Sequence, residues 1–280
     1  MKTILVPIDF SKQAEIAIDF ASQIALKTGA ILKLIHVYEY PVATSFSTMD
    51  VGGIDPVEGE LAREMMEECR EKLEKSAKEC IELGITVDSE IKMGNPFTGL
   101  SEELKNEKVD LIVMGTHGTE SFEDTLIGSN TEKVVRHAPC PVIAVKTPPK
   151  LKDIKSILFA SDFKEDGTDF VKKLKELQVM LGATIHFVRI NTLNNFEPDH
   201  FSEKRMLDWI SVNKFENYTS RIYNDLKEED GIFHYADEMQ VSMLAIGTHG
   251  RSGISQLFKG SIAEEIVNHA KRPIWTYRLK

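Results

Sequence analysis

The sequence predicts an α/β protein built from two similar halves, each an open parallel sheet with helices on both faces. Three observations predict it. Short apolar runs, such as Leu111-Ile112-Val113-Met114 and Ile157-Leu158-Phe159-Ala160, suit parallel strands buried on both sides. Between them lie stretches whose apolar residues keep the three-four spacing of amphipathic helices. The pattern then restarts: Ile157 to Asp162 aligns with Ile4 to Asp9 at an offset of 153, and Gly182-Ala183 with Gly29-Ala30 at the same offset.

Taken in order, Lys2 to Ile8 forms the first strand, with Asp9 at its carboxyl end. Ser11 can cap the helix that follows, whose inner positions are Ala14, Ala17, Ile18, Ala21, Ile24 and Ala25. Gly29-Ala30 ends that helix, and Ile31 to Tyr38 is the second strand, reached by a right-handed crossover. Pro41 to Glu60, with Ser45, Ser47, Gly52, Gly53, Pro56 and Gly59, reads as a long loop of the kind that covers a site. A helix from about Leu61 to Leu83 carries Met66, Cys69, Leu73 and Cys80 inward. Ile85 to Ile91 is the third strand, closed by Gly94-Asn95-Pro96, and Phe97 to Lys108 is the third helix.

Strand four, Leu111 to Met114, opens into Gly115-Thr116-His117-Gly118. Further on stand Gly128-Ser129-Asn130-Thr131-Glu132, where Ser129 and Glu132 match the S-x-x-E capping box of a helix start. A helix from Asn130 and a fifth strand, Val142 to Lys146, complete the first half. Thr147-Pro148-Pro149-Lys150 is a short, stiff linker between a unit at 1–147 and a second at 151–280. In the second unit Met243 to Ile246 leads into Gly247-Thr248-His249-Gly250 and then Gly260-Ser261-Ile262-Ala263-Glu264. From Val241 onward the offset is 132 rather than 153, so this half lacks 21 residues, and the Pro41 to Glu60 loop is the natural candidate for the difference. The two fifth strands, Val142 to Val145 and Ile274 to Tyr277, would be apolar edges if each half stood alone. The short linker raises the concentration of one edge at the other, which predicts an antiparallel pair within the chain and Trp275 on or beside it.

Composition excludes several classes. With 280 residues, 42% of them hydrophobic and 28% charged, the chain has the make-up of a soluble two-unit protein. A formal charge of −10 argues against a nucleic-acid role, and no uncharged apolar run reaches the length of a membrane span. The N-terminal apolar run is too short for a signal peptide, so the expected location is the cytoplasm. Three cysteines do not make a disulfide framework. Cys69 and Cys80 share a helix face about 16 Å apart and read as buried thiols. His137 and Cys140 alone are too few ligands for zinc.

The paired glycine motifs carry the chemistry. A glycine just past a strand lets the chain turn and a ligand approach, and a helix start offers free N–H groups and a positive dipole end to phosphate. The same glycines can equally serve turns and close helix–sheet packing. On G-x2-G-x9-G-[ST], read here from Gly115 to Ser129 and again from Gly247 to Ser261, the chain resembles a tandem, two-domain member of the universal stress protein family. In that family this is the ATP-binding signature. The resemblance implies a HUP-like fold with five parallel strands in the order 3-2-1-4-5 in each unit, and a single chain that mimics the family's dimer. It implies a site in which Pro7, Asp9 and Val37 hold the adenosine end. Met114, Gly115, His117, Gly118, Gly128, Ser129, Asn130 and Thr131 would then surround ribose and phosphates. In the second unit Asp162, Gly247, Gly250, Gly260 and Ser261 match. The implied cofactor is ATP, or ADP or AMP, with Mg²⁺, and the implied role is a stress response exerted through binding and conformation.

Some readings stay open. Asp9 can instead serve only the start of the next helix. His117 and His249 lack the nucleophile and acid that catalysis would need, so a binding or structural role is expected. No P-loop occurs, nor the Ser-Gly-Gly-x-Asp-Ser loop of ATP pyrophosphatases. A slow ATPase or nucleotidyl-transfer enzyme, or a scaffold with vestigial sites, remains as an alternative. The second unit departs from the pattern: Ala160 replaces Pro7, Tyr223-Asn224-Asp225 stands where the first half has Gly-x-Pro, and Phe258-Lys259 precedes Gly260. Its adenine end is therefore in doubt. A further homodimer is compatible with the sequence.

Overall fold

The computed structural model describes residues 1–39, 56–116, 128–164, 167–249, 266–267, 269 and 271–279. The first half runs β1 (Thr3–Ile8), α1 (Lys12–Thr28), β2 (Ile31–Tyr38), α2 (Pro56–Glu82), β3 (Val87–Met93), α3 (Pro96–Asn106), β4 (Leu111–Gly115), α4 (Ser129–His137) and β5 (Val142–Val145). A 3₁₀ turn at Leu151–Asp153 leads into β6 (Ser156–Ala160), α5 (Thr168–Leu181), β7 (Thr184–Asn191), α6 (Asp199–Val212), β8 (Tyr218–Asn224), α7 (Glu228–Glu238), β9 (Met243–His249) and β10 (Ile274–Leu279).

The strand order is β3-β2-β1-β4-β5-β10-β9-β6-β7-β8. Read inward from either edge, each half has the 3-2-1-4-5 order. The halves do not close as two sheets, however. β5 and β10 pair antiparallel, Ala144 with Ile274, Ile143 with Trp275 and Val142 with Thr276, so both edges vanish into one continuous sheet. Every other pairing is parallel. Trp275 lies in this junction and is 1% exposed. Pairing in the chain follows the edge argument.

Helices cover both faces. One core joins Ile4, Val6, Phe20, Ile24, Leu73 and Cys80 of the first half to Phe159, Phe187, Trp209 and Trp275 of the second. The opposite core gathers Leu5, Ile112, Met114, Val134 and Ala144 with Leu158, Tyr235, Leu244 and Ile274. Neither stops at the linker. Leu151 and Ile154 are buried in the first core, Leu151 N–H donates to Gln23 Oε1 at 2.8 Å, and Gln23 Nε2 donates to the Pro149 carbonyl at 3.2 Å. The linker is thus stitched to α1.

Local chemistry sets the ends of the elements. Ser11 Oγ accepts from Ala14 N–H at 3.2 Å and caps α1, while Gly29 closes it at φ 70°, a left-handed conformation that favours glycine. Asn95 caps α3 through Phe97 and Thr98 N–H, so Pro96 is the first helical residue rather than part of a loop. The third strand is Val87–Met93, two residues later than the apolar run alone suggests, because its pairing with β2 governs the register. α2 starts at Pro56, five residues before Leu61, since proline fits a first helical turn. The remainder of the expected cover, 41–55, lies outside the described residues. Within α2, Cys80 is buried but Cys69 only half so, because the helix reaches the core from Leu73 onward.

The shortening of the second half is also distributed differently from expectation. The connection from β7 to α6 spans 192–198, against 39–55 in the first half, and α6 has 14 residues against 27 in α2. Helix and loop both contract. A shorter helix must still cover the sheet, and bulkier side chains fill the space. Phe159, Phe163, Phe187, Trp209 and Phe215 pack ring on ring, with centroids 5.0 to 6.1 Å apart.

Candidate functional site

In an open α/β sheet, ligands bind beyond the carboxyl ends of the strands where the strand order reverses. Here that point lies between β1 and β4, and a proline opens it. The Lys2 carbonyl accepts from Ile31 on β2, and the Thr3 carbonyl accepts from Asp110 ahead of β4. By alternation, odd residues of β1 face β4. Pro7 therefore turns an edge without an N–H toward β4. The β1–β4 register runs only through Ile4–Leu111 and Leu5–Ile112. Its counterpart, with Ala160 in place of Pro7, continues one residue further to Phe159–Ala245.

Asp9 follows directly, exposed at the mouth of this crevice. Its Oδ1 accepts from Ser11 N–H at 3.0 Å, so it braces the cap of α1 without being the cap. Phe10 holds φ 60°, a conformation unfavourable for a side chain of this size. It is secured by the His36 ring at 4.5 Å, and His36 Nδ1–H donates to the Ile8 carbonyl at 2.8 Å. Phe163 holds φ 55° at the matching place in the second half. The turn after the first strand is thus the same strained one twice.

Across the crevice, β4 ends at Gly115. A Cβ there would stand 2.7 Å from Gln13 Cβ and 2.9 Å from the Gln13 backbone. Close packing against the first turn of α1 therefore suffices to require this glycine. Gln13 Oε1 is buried there with no hydrogen-bond partner among the described residues. Thr116, 2% exposed, continues the strand, its N–H donating to the Val145 carbonyl at 3.1 Å.

The start of α4 is docked onto this strand end. Gly128 N–H donates to the Thr116 carbonyl at 2.7 Å, and Thr131 Oγ1 donates to the Gly115 carbonyl at 2.9 Å. The capping box expected of Ser129 and Glu132 does not form. Gly128 holds the cap position, at φ −62° and ψ 140°, and, being a glycine, offers the first turn no side-chain acceptor. Ser129 moves inside the helix because the Gly128 and Thr131 bonds fix where the first turn begins. Ser129, Asn130 and Thr131 thus bring the open end of α4 against the carboxyl end of β4.

Of the residues singled out from the sequence, Pro7 and Asp9 stand at the carboxyl end of β1, and Gly115, Gly128, Ser129, Asn130 and Thr131 at the carboxyl end of the neighbouring β4. Met114 is 6% exposed and faces the core with Ile112 and Val134, and half-buried Val37 lies under α3, its methyls 3.3 Å from the position a Gly99 Cβ would take. His117 and Gly118 lie outside the described residues, as do Gly250, Phe258, Lys259, Gly260 and Ser261. Gly247 and His249 lie on β9.

The second half is different at its acid. Asp162 is 6% exposed where Asp9 is open. Its carbonyl accepts from Arg205 Nε at 3.0 Å, and Arg205 Nη1 donates to Glu197 Oε1 at 2.9 Å. Arg189, 2% exposed, occupies the place of His36 and donates through Nη2 to the Asn195 carbonyl at 2.9 Å. The bidentate bond from Arg205 holds the Glu197 carboxyl down at about 2. Sequence reading did not single out this network, nor Phe10, Gln13 and His36. The available signal was a polar residue inside an apolar strand run, His36 after Leu34-Ile35 and Arg189 after Phe187-Val188.

Among the described residues, no three His, Cys, Asp or Glu side chains gather as a metal site, and no helix is long and apolar enough to cross a membrane. Comparison with known proteins agrees with the fold. A model of the universal stress protein family matches residues 1–146 and 225–278. A universal stress protein of Methanocaldococcus jannaschii is 33% identical over 153 residues, spanning 52% of this chain and 94% of its own length. One from Synechocystis is 22% identical over 295 aligned residues, covering 99% of this chain and all of its own. The crystal structure of a universal stress protein from Archaeoglobus fulgidus superposes with a TM-score of 0.76 at 17% identity, over 99% of this chain and 98% of the other. With the family model matching most of the chain, this protein belongs to the universal stress protein family.

Proposed function

We propose that the first half binds an adenine nucleotide in the crevice between β1 and β4, and that the protein acts through this binding and the conformation it selects. The observation that carries the reading is the start of α4. It is docked at the carboxyl end of β4 through Gly128 and Thr131, has a glycine at its cap position, and stands next to the place where the β1–β4 ladder stops short of Pro7. Free N–H groups at a helix start suit phosphate. Gln13 Oε1, buried and without a partner among the described residues, suits a donor such as a ribose hydroxyl, since a buried acceptor without one costs about 1–3 kcal/mol. Asp9 would take the ribose or base, and Gly128, Ser129 and Asn130 the phosphates. Mg²⁺ would ride on the phosphate oxygens and water, its usual habit.

The same reading treats 1–147 and 151–280 as two copies of one unit, of which only the first keeps its adenosine end. In the second, Asp162 is roofed by Arg205 and Glu197, so one nucleotide per chain is the expected stoichiometry. Calorimetry with ATP and Mg²⁺ tests both claims. Nucleotide at a hundredfold its dissociation constant should add about 2.7 kcal/mol of stability. Gly118→Val, which sets a branched side chain in the signature loop, should abolish that gain. An unchanged response in Gly118→Val, or two equal sites per chain, would sink the reading.

A further inference from the structure

The residues that roof Asp162 belong to a connection whose polarity is inside out. Around the stretch 192–198 the polar groups of Asn191, Thr192, Asn195 and Glu197 are tied down by hydrogen bonds, while Asn194 is exposed. Thr192 N–H donates to Asn195 Oδ1 at 2.7 Å, Asn195 Nδ2 donates to Glu228 Oε1 at 2.7 Å, and Asn191 exchanges two bonds of 3.1 Å with the Glu197 backbone. The apolar ones point out: Leu193 is 85% exposed and Phe196 71%. Leu226, 77% exposed, joins them from the β8–α7 turn, which is tied to β7 by the Asp225 N–H bond to the Asn191 carbonyl at 3.1 Å. Together they line an open groove of about 1030 Å³.

Folding does not require this arrangement. Three large apolar side chains in water forgo the gain of burial, and the backbone that displays them is held in place by the bonds just named. The rim is acidic. Asp199 and Glu203 stand one turn apart on α6, a spacing at which like charges oppose the helix, and no described cation pairs with either. Asp199 gains from the helix start, but Glu203 does not. An apolar floor with unpaired carboxylates repels nucleic acid and anionic lipid. It is also a poor match for a second copy of a chain carrying −10. Charge complementarity favours one kind of occupant.

We propose that this groove docks a partner-protein segment that sets an aliphatic or aromatic side chain between Leu193, Phe196 and Leu226, with a Lys or Arg beside it facing Asp199 and Glu203. Rigid apolar anchors of this kind concentrate binding energy, because little ordering remains to be done when the partner arrives. The site is distinct from the crevice of the first half and does not depend on nucleotide there.

A random dodecapeptide display library panned against the whole chain, after depletion on the Phe196→Asp variant, tests this. The enriched peptides should combine an apolar residue with Lys or Arg. Once synthesised, they should bind the protein at least tenfold more weakly after Phe196→Asp and several-fold more weakly after Asp199→Asn with Glu203→Gln. Their affinity should fall as salt rises. Phe196 is exposed, so Phe196→Asp should leave the melting temperature in place, and a melting curve for each variant separates loss of binding from loss of fold. Failure to enrich peptides that distinguish protein from variant overturns the proposal. So does equal binding of peptides lacking basic residues, or a homodimer in sedimentation that Phe196→Asp abolishes.

Discussion

Pro7 shows how one side chain can shape a crevice without touching a ligand. A proline is poorly tolerated in a central strand because it removes a ladder donor. Here the missing donor would have pointed at β4, and the β1–β4 register ends two residues earlier. The second half supplies the comparison, since Ala160 restores the N–H and the matching ladder extends to Phe159–Ala245. Pro7→Ala should therefore leave the fold intact or tighten it, with the new amide of residue 7 slow to exchange. ATP affinity should fall by roughly tenfold, about 1.4 kcal/mol, as the strands draw together. Hydrogen exchange read beside calorimetry checks both halves of the claim, and a freely exchanging amide with unchanged affinity would refute it. Gly115 teaches the complementary lesson. Its missing Cβ is required by Gln13, so a glycine in a binding signature can be there for packing as well as for ligand.

At the scale of elements, the two halves solve one packing problem in two ways. Where α3 covers β2 and β3, Glu103 is buried between the ammonium groups of Lys33 and Lys92, and Lys33 also reaches Glu107 at 2.8 Å. Burial opposes the charge on Glu103, but the two lysines outweigh it and hold its carboxyl below the ordinary range. In the second half the same layer holds His186 and Tyr235, with His186 Nδ1 2.7 Å from Thr219 Oγ1 and the Tyr223 and Tyr235 rings 5.4 Å apart. Glu103→Ala leaves two cations without their shared partner and should cost about 3–5 kcal/mol in chemical denaturation. Replacing the set by its counterpart, Lys33→His with Lys92→Tyr and Glu103→Tyr, should recover most of that loss. Acid gives a second measurement. Glu197, held at about 2 against an ordinary 4.5, stabilises the fold fully above pH 4.5 and loses that contribution as pH falls toward 2. Partial exposure limits the effect to roughly 1–3 kcal/mol. Glu197→Gln should flatten the acid limb of stability against pH by that amount, and an unchanged limb would show that the roof over Asp162 is electrostatically idle. These elements also mark what could be read from the chain alone. Strands, helices and the repeat were legible because apolar period and a cap such as Ser11 are local signals, whereas Asn95, read as part of a strand-closing turn, proved to be the cap of α3. The open cap of α4 was not, because Gly128 and Thr131 are placed by carbonyls on β4, a contact that no local pattern encodes. The Arg189–Glu197–Arg205 network was hidden for the same reason, its members drawn from β7, a connection and α6.

The molecule as a whole depends on the junction of β5 with β10. Carbonyls of Pro141 and Val145 are taken by Ile112 and Thr116 on the β4 side, so the even residues of β5 turn to β10. Ala144 and Ile274 are therefore a pair that exchanges hydrogen bonds, and Trp275 seals the layer beside them. Proline at Ala144 removes a rung of this junction while leaving the β4 ladder its donors. The expected loss is about 3 kcal/mol or more. What the linker contributes can be separated from what the sheet contributes. A protease site inserted between Pro148 and Pro149 lets the chain be cut after folding. If the sheet is continuous and both cores cross it, the cut halves should stay together at micromolar concentration, eluting as one species with Trp275 still shielded from quencher. With Ala144→Pro, the same cut should release them, because the linker's effective concentration is then lost along with the rung. Separation of the cut wild-type halves would mean that the linker, not the strand pair, holds this molecule together.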